Sequence, residues 1–155
     1  MINGRIKIVV KVLLAFVHFT SYAQIDEQQI KDQSSQFSKN YIEGNFVAMA
    51  EAYTTDAVIG PPSKDIVSGR EKIYNYWAGL PKTKVLMHRS ETITIKINGD
   101  EAHDYGYYYT QSQKDNGEKN PVYSAKYYII WKKVDGTWKM KVDIWNSRDQ
   151  HWNKY

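Results

Sequence analysis

Apolar residues in the first part of the chain follow the spacing of a helix. Between residues 25 and 43, the side chains of Ile30, Phe37 and Tyr41 lie seven and four residues apart, which puts them on one face of a helix. Gly44 can take the left-handed conformation that ends a helix. The pattern therefore predicts a long amphipathic helix over residues 25–43.

Shorter elements follow this helix. Asn45 can cap a second helix over residues 46–53. The apolar run over residues 57–59 predicts a short strand, which the following prolines stop because they cannot donate to a sheet. Ser68 and Glu71 have the spacing of a capping box and predict a third helix directly after them.

From residue 84 the alternation of polar and apolar residues becomes that of strands. The predicted strands cover residues 84–97, 101–113, 121–134 and 137–146. Turn signals separate them at Asn98-Gly99, Asn116-Gly117 and Asp135-Gly136. Because short turns join antiparallel neighbours, the sequence predicts a four-stranded meander after helices, and therefore an α+β class.

Both faces of this sheet are apolar in places. Along the third long strand, Tyr127, Ile129 and Trp131 point to one side, and Tyr128 and Ile130 point to the other. The helices can cover only one face. We therefore expect the other face to form a homodimer, although isolated surface tyrosines are the alternative.

Residues 1–23 have the composition of a secretory signal peptide, with Arg5 and Lys7 before an apolar run and Ala23 at the cleavage position. An uncleaved anchor is the alternative, but the run is short for a membrane span. Cleavage predicts an exported protein, periplasmic or secreted, with residues 24–155 as one domain. Residues 24–155 carry 18 basic and 17 acidic residues, a net charge of +1, which favours neither nucleic acid nor membrane as a partner.

Six short segments, in this order and spacing, resemble the nuclear-transport-factor-2-like (NTF2-like) superfamily. The segments are Tyr41–Asn45, Tyr53–Val58, Ser68–Ile73, Asn98–Ala102, Gly106–Tyr108 and Trp131–Ser147. Within that superfamily the chain is most similar to the SnoaL-like, ketosteroid-isomerase-like small domains of unassigned function. The resemblance implies a cystatin-like cone, with N-terminal helices packed on a strongly curved, mainly antiparallel sheet. It also implies a pocket at the open end and a dimer through the convex sheet face.

The resemblance does not extend to the chemistry of the ketosteroid isomerases. Their catalytic base would fall at Pro61, and the tyrosine that holds the enolate oxygen would fall at Phe37. Neither side chain carries an acidic group. A ketosteroid isomerase is therefore not expected.

His88 and Asp143 are the candidate catalytic residues. His88 lies early in the strand that lines the pocket in the resembling fold, although a histidine at a sheet edge with one hydrogen bond is the plainer interpretation. Asp143 lies within a strand, where a carboxylate is unusual unless it is paired. By strict alternation Asp143 shares its face with Lys139, Lys141 and Trp145, so a solvated ion pair is the alternative.

The remaining candidates are aromatic residues and scattered acids. The predicted ligand pocket comprises Tyr53, Tyr74, Trp77, Asp104, Tyr108, Tyr127, Trp131 and Trp145, although core packing would explain each aromatic residue equally well. The small residues beside Asp104, which include Gly106, indicate that the first helix or a ligand approaches closely there. Asp56 is expected to cap a turn. His103 and His151 stand alone, and with no cysteine the sequence shows no metal-ligand spacing.

Three functions are compatible with these features. The first is a homodimeric domain that binds a small, largely apolar or aromatic molecule without catalysis or cofactor. The second is a cofactor-free lyase, isomerase or cyclase that uses His88 and Asp143 as an acid–base pair. The third is a structural dimerisation domain whose cone is filled by its own side chains.

Overall fold

The computed structural model describes residues 24–81 and 83–148. Helix α1 covers residues 24–43, followed by α2 at Phe46–Glu51 and α3 at Arg70–Ala78. The strands are β1 at Tyr53–Gly60, β2 at Val67–Ser68, β3 at Lys84–Asn98, β4 at Glu101–Gln113, β5 at Tyr123–Val134 and β6 at Thr137–Ser147. The predicted signal peptide and His151 lie outside the described residues. No helix within the described ranges is long and apolar enough to cross a membrane.

The six strands form one curved sheet in the order β2-β1-β6-β5-β4-β3. The predicted meander of β3 to β6 is confirmed, and its neighbours pair antiparallel. The predicted α+β class is also confirmed. β1 pairs in parallel with β6, which makes the last strand an interior strand of the sheet. No local pattern in the sequence predicts this pairing.

Two local predictions need correction. The second helix ends at Glu51, and a strand already begins at Tyr53, because the following threonines favour extended structure. The capping box is absent: Ser68 belongs to β2, and α3 begins after Gly69, which has φ +90°. The Gly69 amide donates instead to the Ala57 carbonyl at 2.8 Å, so the sheet holds this segment.

The core lies between the helices and the concave face of the sheet. Its largest fully buried side chains include Ile30 of α1, Tyr53 of β1, Trp131 of β5 and Trp138 of β6. Burying each large apolar side chain stabilises the fold by about 1.5–3 kcal/mol. The indole of Trp138 also donates to Asp26 at 3.1 Å, which ties the start of α1 to the last hairpin.

A β-bulge in β6 decides which side chains face the core. Ile130 pairs with Val142, but Trp131 pairs with Met140, so Lys141 is an extra residue in the ladder. Before the bulge Met140 is buried, and after it Asp143 is buried. The expectation that Asp143 shares a face with the two lysines is therefore wrong, because the bulge reverses the alternation between them.

Candidate functional site

An open cavity of about 350 Å³ lies between α1, α3 and the concave face of strands β3 to β6. Its wall is mainly aromatic. The aromatic side chains in the lining are Phe37, Tyr41, Tyr76, Trp77, Tyr108, Tyr123, Tyr127, Trp131 and Trp145. The cone is therefore not filled by its own side chains, which speaks against a purely structural domain.

The structure brings most of the predicted site residues to this cavity. Trp77, Tyr108, Tyr127, Trp131 and Trp145 line it, together with His88 and Asp143. Three predicted pocket residues lie elsewhere. Tyr53 and Asp104 are fully buried behind the lining, and Tyr74 is 37% exposed on α3, because its neighbours Tyr76 and Trp77 take the inward side of that helix.

Rings from α3 and β6 pack against one another in one part of the wall. Trp77 stacks on Trp145 with ring centroids 5.6 Å apart and an angle of 13° between the planes. Tyr76 meets both indoles edge-on, and Tyr41 packs edge-on against Trp77 at 5.7 Å. Such contacts hold the rings in fixed positions around the cavity.

Several lining residues were not predicted as pocket residues. They include Phe37, Tyr41, Tyr76 and Tyr123, as well as Ser38 and Lys64. The spacing of Phe37 and Tyr41 identified the buried face of α1. That this face ends at a cavity rather than in the core depends on how α1 docks, which the sequence does not show.

Asp143 is the buried carboxyl of the cavity. It is 7% exposed, and the Tyr53 hydroxyl donates to its Oδ2 at 2.8 Å. Burial raises the pKa of Asp143 to about 7, with a further contribution from the charge of Asp104, while the Tyr53 hydrogen bond opposes the rise. Asp143 therefore exchanges its proton near neutral pH.

His88 is held by a serine rather than by Asp143. Its Nδ1 lies 2.8 Å from Ser38 Oγ, and its ring packs against Phe37, Tyr41 and Tyr108. Burial lowers the pKa of His88 to about 4, so the imidazole is neutral at pH 7.

No hydrogen bond or ion pair joins His88 to Asp143 in the described parts of the chain. The expected acid–base pair is therefore not formed as a direct contact. The two groups share a cavity and have separate partners.

Asp104 orients part of the wall from behind. It accepts hydrogen bonds from the Tyr127 hydroxyl at 3.0 Å and from the Trp131 indole at 3.3 Å. Burial raises the pKa of Asp104. These contacts use the polar ends of two wall residues, so mainly their ring carbons remain for the cavity.

The close approach expected near Gly106 is made by the sheet itself. A Cβ at Gly106 would lie 2.1 Å from the carbonyl oxygen of Glu91 in β3. The pairing of β3 with β4 is irregular between Thr92 and Thr94, next to this contact. The nearest neighbour of Gly106 is therefore the backbone of β3, whereas the other small residue, Ala102, lies in one buried cluster with Ile30 of the first helix.

The other polar candidates lie away from the cavity. Asp56 is exposed and binds Thr54 and Lys141, whose hydrogen bond lowers the pKa of Asp56. His103 contacts Tyr128 on the outer face of the sheet. Among residues 24–81 and 83–148, no group of three potential metal ligands comes together.

Solved structures share this architecture. An NTF2-like protein with a cystatin-like fold from Novosphingobium aromaticivorans matches with a TM-score of 0.76 at 13% identity, over 88% of this chain and 91% of that one. A ketosteroid isomerase-like protein from Erwinia carotovora matches with a TM-score of 0.66 at 14% identity, over 77% and 94%. A cystatin-like protein of unknown function from Nostoc punctiforme matches with a TM-score of 0.69 at 18% identity, over 81% and 93%. At these identities the likeness shows the fold, which is NTF2-like.

The family model of the SnoaL-like domain matches residues 24–142. The chain therefore belongs to the SnoaL-like domain family. No curated protein matches the chain.

Proposed function

We propose that this protein binds a small, largely apolar molecule in its aromatic cavity. The observation that carries the proposal is the cavity itself, which is open, measures about 350 Å³ and has a mainly aromatic wall. Pockets of this size with few polar groups are typical of small-molecule sites.

The polar groups of the wall support the same function. The hydroxyl of Tyr127 and the indole nitrogen of Trp131 are bound by Asp104. The indole nitrogen of Trp77 is buried and has no hydrogen-bond partner in the described residues. A ligand would therefore meet mainly ring carbons, with Asp143 and His88 among the polar groups that could orient it.

The test is native mass spectrometry of the protein purified from its host, followed by denaturation to release any bound molecule. We expect a co-purified small molecule in the wild type. We expect its loss in Trp145→Ala, because this substitution removes an indole from the wall and enlarges the cavity. Tyr74→Ala is the matched control, because Tyr74 is an exposed aromatic residue outside the lining. An empty wild-type protein, or equal retention in both variants, would contradict the proposal.

A proton-transfer enzyme is the second candidate, and the pKa of Asp143 near 7 favours it. A carboxyl with such a pKa can both accept and donate a proton at neutral pH. Because His88 is neutral and separately bound, Asp143 alone would act as the acid–base group of a cofactor-free lyase, isomerase or cyclase. Conversion of the captured molecule by the wild type but not by Asp143→Asn would support this candidate.

We also propose a homodimer formed through the outer face of the sheet. Tyr105, Tyr128 and Ile144 lie directly opposite one another on three adjacent strands. They are 41%, 39% and 48% exposed, and such a row of exposed apolar groups favours association.

We also propose that the protein is exported and that residues 1–23 are removed as a signal peptide. The support is the basic and then apolar composition of that segment. Mass spectrometry of the mature N-terminus in its host is expected to find Gln24 as the first residue.

A further inference from the structure

Asp143 is a buried carboxyl with no positively charged partner in the described residues. Its Oδ2 accepts one hydrogen bond from Tyr53, and no partner of Oδ1 is present among those residues. Lys64 is the cationic residue of the lining, and it forms no ion pair with Asp143. Ionising a buried carboxyl without a counter-charge is costly, so a cation bound beside Asp143 would stabilise its ionised form.

The wall around Asp143 has the chemistry that attracts cations. Trp77, Trp145 and Tyr76 form a packed group of rings in the lining. The faces of aromatic rings carry negative charge density, and sites that bind ammonium groups combine several rings with low solvent exposure. The buried N–H groups of Trp77 and Trp131 do not offset this preference, because neither is open to the cavity.

We propose that the molecule bound in this cavity carries a positively charged nitrogen, such as an alkylammonium group, which pairs with Asp143 inside the aromatic wall. This inference rests on the binding function proposed above. It narrows the ligand to a compound with an apolar or aromatic body and one cationic group.

A neutral ligand makes the opposite prediction. A carbonyl compound would accept a hydrogen bond from the protonated form of Asp143 and would bind more tightly below pH 7. A cation requires the ionised form and would bind more tightly above pH 7. The direction of the pH dependence therefore separates the two ligand classes.

Other titratable groups near Asp143 do not produce the same pH dependence of binding. The tyrosines that face it are Tyr53, Tyr76, Tyr108 and Tyr127, and burial raises the pKa of each, so they stay neutral. His88 is neutral above about pH 4. Asp104 lies behind the wall, and Lys64 lines the cavity without an ion pair to Asp143 in the described residues. Replacing Asp143 alone isolates its contribution.

The experiment compares benzyltrimethylammonium with neopentylbenzene, which has the same shape without the charge. Binding is followed by the fluorescence of the tryptophans in the wall at pH 5 and pH 8. We expect the cation to bind about tenfold or more tightly than the neutral compound at pH 8. Its affinity should fall about 100-fold at pH 5, because only about 1% of Asp143 is then ionised.

Two variants complete the test. Asp143→Asn should weaken the preference for the cation and abolish its pH dependence, whereas Asp100→Asn, which removes an exposed carboxylate outside the cavity, should preserve both. If Asp143→Asn does not fold, the affinities of the wild type at pH 5 and pH 8 still distinguish a cationic from a neutral ligand. Equal or tighter binding of neopentylbenzene would overturn the cation inference and leave the binding function intact. Binding of neither compound, with benzyltrimethylammonium at millimolar concentration and neopentylbenzene at its solubility limit, would overturn both.

Discussion

At the scale of single residues, Asp143 couples the cavity to the stability of the fold. Its pKa rises from 3.8 in the unfolded chain to about 7 in the folded protein. Between these values the folded state holds more protons than the unfolded state, so this residue makes folding less favourable as the pH rises from about 4 to 7.

Asp143→Asn is therefore expected to stabilise the protein relative to the wild type as the pH rises. Between pH 5 and pH 8 the difference in the free energy of unfolding should grow by about 3 kcal/mol, since each pKa unit is worth about 1.4 kcal/mol. Urea unfolding at several pH values measures it. Asp100→Asn serves as the control, and a difference that stays constant with pH would show that Asp143 does not titrate in this way.

Individual site residues were predictable where a residue did not fit the polar–apolar pattern of its own strand. Asp143 is such a residue, because its carboxylate lies between Val142 and Ile144. This pattern correctly identified it as an unusual group. Its partner Tyr53 is 90 positions earlier in the chain, and nothing in the local pattern connects the two. The same limit applies to Ser38, which holds His88 only because α1 docks against β3.

At the scale of elements, irregular points in the strands decide which side chains and backbone groups come together. The bulge at Lys141 turns Asp143 and Trp145 into the cavity. A bulge in β3 lies next to the contact between the Glu91 carbonyl and Gly106, where only a residue without Cβ fits. Bulges leave little trace in a polar–apolar pattern, so the strands and several of their inward aromatic residues were predictable, whereas the inward position of Asp143 was not.

Gly106→Ala tests the close contact in β3. The added Cβ would overlap backbone atoms of β3, which cannot rotate away, so we expect a loss of about 3 kcal/mol in the free energy of unfolding. Gly44→Ala is the matched control. A Cβ at Gly44 would meet nothing within 4 Å, and only its positive φ of 69° is unfavourable, at a cost of about 1 kcal/mol. Equal losses in thermal or urea unfolding would contradict this account of Gly106.

At the scale of the whole molecule, the outer face of the sheet remains to be covered. Ile144→Glu places a charge in the middle of the exposed row that it forms with Tyr105 and Tyr128. We expect this variant to have the mass of a monomer by native mass spectrometry or light scattering, where the wild type has that of a dimer. Ile93→Glu is the control, because Ile93 is 54% exposed in the β3 bulge. A monomeric wild type, or a dimeric Ile144→Glu variant, would disprove the proposed interface.

The class of the whole fold was predictable because its signals are local. Turn residues and alternation define the meander, and helical spacing defines α1. The parallel pairing of β1 with β6 was not predictable, because it joins segments about 80 residues apart and depends on the curvature of the complete sheet.

The interior position of β6 sets the order in which the protein can acquire its structure during synthesis. β6 is made last, yet both β1 and β5 pair with it. A nascent chain that has not reached residue 137 lacks the partner for β1 and the buried side chains of Trp138 and Met140. The helices and β1 therefore keep their apolar faces uncovered until β6 is available, and a chain interrupted before β6 exposes surfaces that chaperones and proteases recognise.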